Sequence, residues 1–247
     1  MATDYARQAV LDMVYKAQSS HIGSNFSVIE ILKVLFERKG KIILSAGWKA
    51  SAFYYFLAIN GFFPEEELDT YNQEGSRLIG LTEPGVPGVY FAGGSMGLGF
   101  PAAVGFALSE KMKGSDTKIY CVMSDGEMGC GTTWESAMIA SHHKLSNLTV
   151  IIDDNGLQAM GKTSEILDNA SLKSKWRAFG FCTTTVNGHD TEELNWALNH
   201  PDHNKPMCIV AKTIKGKGVS FMENDNRYHY FNLSKEDYEN AKQELNG

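Results

Sequence analysis

The 247-residue chain carries a formal net charge of −6 and no run of Lys or Arg, which argues against a nucleic-acid or anionic-membrane surface. No apolar segment reaches the roughly 18 residues of a membrane span, and the N-terminus, MATDYARQAVLDMV, lacks the basic start and apolar stretch of a signal. A cytoplasmic protein is therefore expected. A chain this long buries roughly 70–75% of its unfolded surface, so its core needs neither disulfide nor structural metal.

Apolar positions at Ala6, Val10, Met13, Val14 and Ala17 follow helical spacing. The segment SSHIGSNFS interrupts that pattern, and Ser27 is expected to cap a second helix, VIEILKVLFER. A short strand, KIILS (41–45), precedes a helix in KASAFYYFLAING that Gly61 stops. Pro64 then opens a helical turn in PEEELDTY. Residues 75–99, rich in Gly, Pro and Ser, read as loop, and Pro101 begins a helix to about 113. From there strands and helices alternate: strand 118–123, helix 132–144, strand 148–153, loop 154–170, helix 171–179, strand 181–186, helix 190–199 and strand 207–212. This order predicts an α/β fold, a doubly wound, mainly parallel sheet with helices on both faces, in one domain over 1–247. From Lys215 an irregular arm leads to a last helix that Ser234 and Asp237 cap as a box. Three of the four cysteines (121, 130, 182, 208) fall in strand-like runs, and none forms a Cys-x-x-Cys pair. They read as reduced core residues.

Two of the strands end alike. KIYCVM runs into S124-D-G-E127, and LTVII runs into D153-D-N-G-L157. In a doubly wound sheet both endings face the crevice at the carboxyl edge, which brings Asp125 and Asn155 together. A carboxylate and an amide carbonyl are hard oxygen donors suited to Mg²⁺ or Ca²⁺. Two such side chains leave an octahedral shell open to water and to phosphate oxygens, so a phosphorylated ligand is expected. Gly126 lets it approach the backbone, and the start of the helix from 132 offers amides to its charge. The bland alternative is that Asp125 and Asp153 are turn residues.

The order Asp-Gly, about thirty residues of helix and strand, then Asn resembles the thiamine diphosphate motif of the transketolase family, and W134-ESAMIASHHKLSNLTVIIDDNGLQ158 resembles its text closely. The resemblance runs from about 5 to 222 and points to the diphosphate-binding N-terminal half, as a separate subunit. It implies a metal held by Asp125, Asn155 and the carbonyl of Leu157, with Gly126 against the diphosphate. Gly94 and Met96, in A92-GGSMGLG99, would border the aminopyrimidine side. His21, in S20-HIG23, is similar to a histidine facing sugar and diphosphate. His189, in N187-GHD190, is similar to one near the diphosphate and reacting carbon. Both would act in proton transfer or oxyanion binding. Without the resemblance each histidine reads as structural or solvated. The overlapping G97-LGFPA102 is like a dinucleotide fingerprint but lacks the preceding strand and a following acidic residue at a strand end. His142 and His143 read as packing or surface residues. Lys215 and Lys217, in K212-TIKGKGVSFME223, either touch phosphate or lie in a solvated loop.

The implied activity is transfer of a two-carbon ketol unit from a ketose to an aldose. The family's activating glutamate lies on a pyrimidine-binding domain that this text lacks. A heterotetramer with a C-terminal-half partner subunit is therefore expected, as is inactivity of the lone chain. Three positions depart from the family pattern: Trp48 and Leu81 stand where it has histidines, and Cys130 where it has a glutamate linking paired sites. The first two predict altered sugar specificity, toward a less polar or nucleotide-linked sugar. Competing readings are a 2-oxo acid decarboxylating component, a deoxyxylulose phosphate synthase-like enzyme, or a non-catalytic assembly protein.

Overall fold

A computed structural model describes residues 2–168, 171–202 and 204–246, with side chains from residue 4 onward. Its centre is a parallel sheet of β1 (Lys41–Leu44), β2 (Ile119–Ser124), β3 (Leu148–Asp154), β4 (Cys182–Asn187) and β5 (Met207–Lys212), in the order β1-β2-β3-β5-β4. Each neighbouring pair is parallel.

Side chains alternate across the sheet with a period of two. Ile119, Cys121 and Met123 of β2 enter one apolar cluster, while Tyr120 and Val122 enter the other. Val150 and Ile152 of β3 likewise oppose Ile151. One face carries α1 (Ala2–Ala17), α3 (Ile29–Phe36), α4 (Ala50–Ile59), α9 (Thr191–Asn199) and α10 (Lys235–Asn246). The other carries α5 (Gly99–Met112), α6 (Gly131–His142) and α8 (Leu172–Ala178), around a buried Trp176 flanked by Phe100, Trp134 and Phe181. Both faces of a parallel sheet are thus covered, as its two-sided apolar strands require.

The arm from Lys215 returns to the start of the chain. Tyr238 of α10 stacks on Tyr15 of α1 at 4.1 Å, and Gln8 donates to the Leu245 carbonyl at 3.0 Å. The Ser234–Asp237 box forms: the Asp237 amide donates to Ser234 Oγ at 3.0 Å, and Ser234 Oγ donates to Asp237 at 2.6 Å.

Four local expectations change. Residues Ile22–Ser27 form a separate six-residue helix, α2, and Ser27 caps nothing: its hydroxyl donates to Asp153 at 2.5 Å. Pro64 precedes a 3₁₀ turn, Glu65–Thr70, as its cap. Helix α5 starts at Gly99, two residues before Pro101. Inside the expected 154–170 loop, Thr163–Ile166 forms a helical turn, α7; positions 169 and 170 lie outside the described residues. Cys121 and Cys208 are buried, whereas Cys130 and Cys182 are partly exposed, and all four are free thiols.

Candidate functional site at the carboxyl edge of the sheet

Ser124 pairs with Asp153 in the β2–β3 register, so Asp125 and Asn155 emerge side by side one and two residues later. Asp125 opens a 3₁₀ turn, Asp125–Gly129, closed by a capping box in which Glu127 accepts from the Ser124 amide at 2.8 Å. The buried Glu127 also takes the hydroxyl of Ser45 after β1 and the Gly97 amide at 3.4 Å. One carboxylate therefore ties two strand ends to the glycine-rich loop. That loop is pinned further where Gly47 and Gly93 cross back to back. The Gly47 amide donates to the Gly93 carbonyl at 2.9 Å, and a Cβ on Gly47 would meet that oxygen at 2.0 Å. Only glycine fits such an approach.

These connections shape a cavity of about 270 Å³. His21, Gly94, Met96, Asp125, Gly126, Asn155 and Leu157 all line it, as do Trp48 and Leu81. His189 is not part of the wall. Its Nε2 accepts from the Ile214 amide at 2.8 Å, which leaves Nδ1 to donate to Glu30 at 2.9 Å, and Glu30 in turn holds Arg7. Nε2 is spent on the 212–217 segment and Nδ1 on Glu30 of α3, and the structure does not bring His189 to the other residues. Lys217 pairs with Glu223 at 3.1 Å.

A histidine not expected from the sequence takes the place in the wall. His229 ends a 3₁₀ turn, Asn226–His229, and its ring meets that of His21 edge to face at 4.8 Å. The His229 carbonyl accepts the His21 amide at 2.9 Å, while the His21 carbonyl takes the Ser24 and Asn25 amides and the Asn25 side chain. That lattice holds His21 at φ +72°, a left-handed conformation that costs a non-glycine residue about 1–3 kcal/mol. Burial, with the positive charges of Lys215 and Lys49, lowers His21 to about 4. Burial, then Lys215, His21 and Lys49, lowers His229 to about 3. Both imidazoles are neutral at pH 7.

Asp125 is almost fully buried. Its Oδ1 accepts from the Gly126 amide at 2.9 Å, and Oδ2 from the Gly156 amide at 2.9 Å and Thr163 Oγ1 at 2.8 Å. Burial raises it to about 6, and the nearby Asp153 and Asp154 carboxylates add to the rise. A cation bound there would relieve that accumulation of negative charge. Asn155 Oδ1 accepts one bond, from the Leu157 amide at 3.1 Å, and keeps a lone pair for another partner. Among the described residues no three His, Cys, Asp or Glu side chains cluster to hold a metal. The donors here are one carboxylate and one amide, a set that fits Mg²⁺ completed by water and phosphate oxygens. Gly126 fits the same picture. Its φ is not positive, and a Cβ there would meet nothing closer than Gln158 at 3.4 Å. Neither backbone nor packing demands glycine, which leaves the cavity side as the reason.

A parallel α/β sheet whose adjacent strand ends present hard oxygen donors and a glycine to one cleft is the frame of an α/β domain that binds its ligand at the carboxyl edge. Residues 1–246 match the transketolase, thiamine diphosphate binding domain, and the chain belongs to that family. It is 34% identical to one of the subunits of apulose-4-phosphate transketolase from Phocaeicola vulgatus, over 97% of this chain and 90% of that protein. It is 35% identical to the 6-deoxy-6-sulfo-D-fructose transketolase subunit SqwG of a Clostridium species, over 97% and 93%. The crystal structure of transketolase from Campylobacter jejuni superposes with a TM-score of 0.91 at 32% identity, over 99% of this chain and 42% of that one. The chain thus spans about two fifths of that transketolase and nearly all of the subunit-length relatives. No helix among the described residues is long and apolar enough to cross a membrane.

Proposed function

We propose that this chain is the diphosphate-binding subunit of a ketol transferase that moves a two-carbon unit from a ketose donor to an aldose acceptor. The observation that carries the reading is the meeting of Asp125 and Asn155 with His21 and His229 around one cavity. Asp125, Asn155 and the carbonyl of Leu157 would hold Mg²⁺ or Ca²⁺, and Gly126 would lie against the diphosphate of thiamine diphosphate. When bound, that cofactor supplies the carbon nucleophile and electron sink of the reaction. Gly94 and Met96 form the wall on the side expected for its pyrimidine. His21 and His229, both neutral, offer N–H donors to substrate oxygens where negative charge develops. The role expected of His189 passes in this reading to His229, because the nitrogens of His189 are already engaged.

The two relatives named as transketolase subunits support the existence of a second chain; in this reading that chain is the pyrimidine-binding half, and a heterotetramer would complete the site. Trp48 and Leu81 bring an indole and an isobutyl group to the wall, which favours a less polar or nucleotide-linked sugar over ordinary pentose phosphates. Titration calorimetry of the assembled chains with thiamine diphosphate tests the reading: binding that depends on Mg²⁺ is expected. Heat without metal dependence, or none, supports the assembly-protein alternative. Product analysis with a ketose phosphate against a 2-oxo acid separates ketol transfer from decarboxylation.

A further inference from the structure

Lys215 is fully buried yet does not line the cavity. Its Nζ lies 2.9 Å from Asn226 Oδ1, 3.3 Å from the Gln158 carbonyl and 2.9 Å from His229 Nδ1. An ammonium has three hydrogens and no lone pair, and here it has three acceptors. Each contact therefore uses one N–H, and His229 Nδ1 can only accept. A neutral imidazole that accepts at one nitrogen carries its proton on the other. The geometry points to Lys215 as a positioning residue that locks His229 in the Nε2–H tautomer, making it a hydrogen-bond donor to the cavity and not a base.

Further observations converge on the same assignment. Burial and Lys49 lower Lys215 to about 8, with Asp125 and Asp153 opposing, which still leaves an ammonium at pH 7. The segment bearing Lys215 is itself fixed on both sides: the Ile214 amide donates to His189 Nε2, and the Gly216 amide to the Gly23 carbonyl at 2.9 Å. The Gly23 bond links Lys215 to α2, directly after His21. Asn226 donates in turn to the Ala159 carbonyl at 2.9 Å, so the acceptor that shares Lys215 with His229 does not swing away. The consequence for catalysis rests on the ketol-transfer reading; the tautomer does not.

The test is nitrogen-15 NMR of the full chain with labelled histidine, with His229 assigned by loss of its signals in His229→Gln. In the wild type at pH 7 the ring should show a protonated Nε2 and an unprotonated Nδ1. Lys215→Met removes the donor and should give a tautomer mixture or the Nδ1–H form. Lys215→Gln keeps an N–H donor without the charge and should restore Nε2–H. In the assembled enzyme Lys215→Met should lower kcat at least about tenfold, equal to about 1.4 kcal/mol of barrier, with Lys215→Gln recovering part. An Nδ1–H ring in the wild type, or an unchanged ring in Lys215→Met, overturns the assignment. The wild-type spectrum decides even if a variant fails to fold. Because no cofactor is added for NMR, a failed tautomer result and a failed cofactor result remain separate.

Discussion

The ammonium of Lys49, at the start of α4, is paired with the carboxylate of Asp153 in β3, and neither side chain reaches solvent. Burial alone would raise Asp153, but Lys49, Ser27 and Thr213 outweigh it and hold the carboxyl below its usual range. The pair joins the helical layer to the strand that ends one residue before Asn155. Removing one partner of such a pair strands a buried charge, at a cost of about 3–5 kcal/mol, whereas an apolar replacement of both is often near neutral. Lys49→Met should therefore lower the unfolding free energy by about 3–5 kcal/mol in urea denaturation. Lys49→Met with Asp153→Leu should recover at least half of that loss.

Gly126→Ala separates folding from binding. The backbone and Gln158 accept a Cβ at this position, so stability should hold or rise by about 0.4–1 kcal/mol. Affinity for thiamine diphosphate with Mg²⁺ should fall more than about tenfold, the equivalent of 1.4 kcal/mol. Thermal unfolding and calorimetry on the same preparation check both halves.

Acid should destabilise the fold through the two cavity histidines. In the unfolded chain they take up protons below about 6.5, but folded His21 and His229 resist until about 4 and 3. Between those values the unfolded state binds more protons, so stability is fullest above 6.5 and is lost as pH falls. Asp125, raised to about 6, works in the opposite direction between 3.8 and 6. A difference measurement isolates the histidine: His229→Gln should flatten the dependence of unfolding free energy on pH between about 4 and 6.5 relative to the wild type.

Trp48 and Leu81 stand in the wall beside His21 and Gly94. Trp48→His with Leu81→His should raise kcat/KM of the assembled enzyme for pentose phosphates by roughly tenfold, the scale of one or two added hydrogen bonds, and lower it for the native substrate pair. Competition assays with both acceptors present give the ratio directly.

Much of the frame was readable from local pattern. Short apolar runs marked the strands, and the matching endings at Asp125 and Asn155 placed the cleft, because a parallel sheet puts successive carboxyl ends on one edge. What escaped was set by contacts distant in sequence. The Lys49–Asp153 pair spans 104 residues and the Ser27–Asp153 bond 126, so Ser27 read as a helix cap when its hydroxyl was committed elsewhere. His229 lies in a segment without periodicity, and its proximity to His21 depends on the whole arm folding back. His189 carried the more suggestive local text, yet Glu30, 159 residues away, claims its ring. Lys215 read as a phosphate contact or a solvated loop residue, whereas it is buried outside the cavity wall, and nothing local indicated its three acceptors.

Manganese offers the sharpest check on the metal site, since it substitutes for Mg²⁺ in oxygen cages and scatters anomalously. In crystals of the assembled chains with thiamine diphosphate and Mn²⁺, one anomalous peak should lie about 2.0–2.2 Å from an Asp125 oxygen, Asn155 Oδ1 and the Leu157 carbonyl. A peak bound elsewhere, with Asp125 still turned to Gly126, Gly156 and Thr163, would contradict the account.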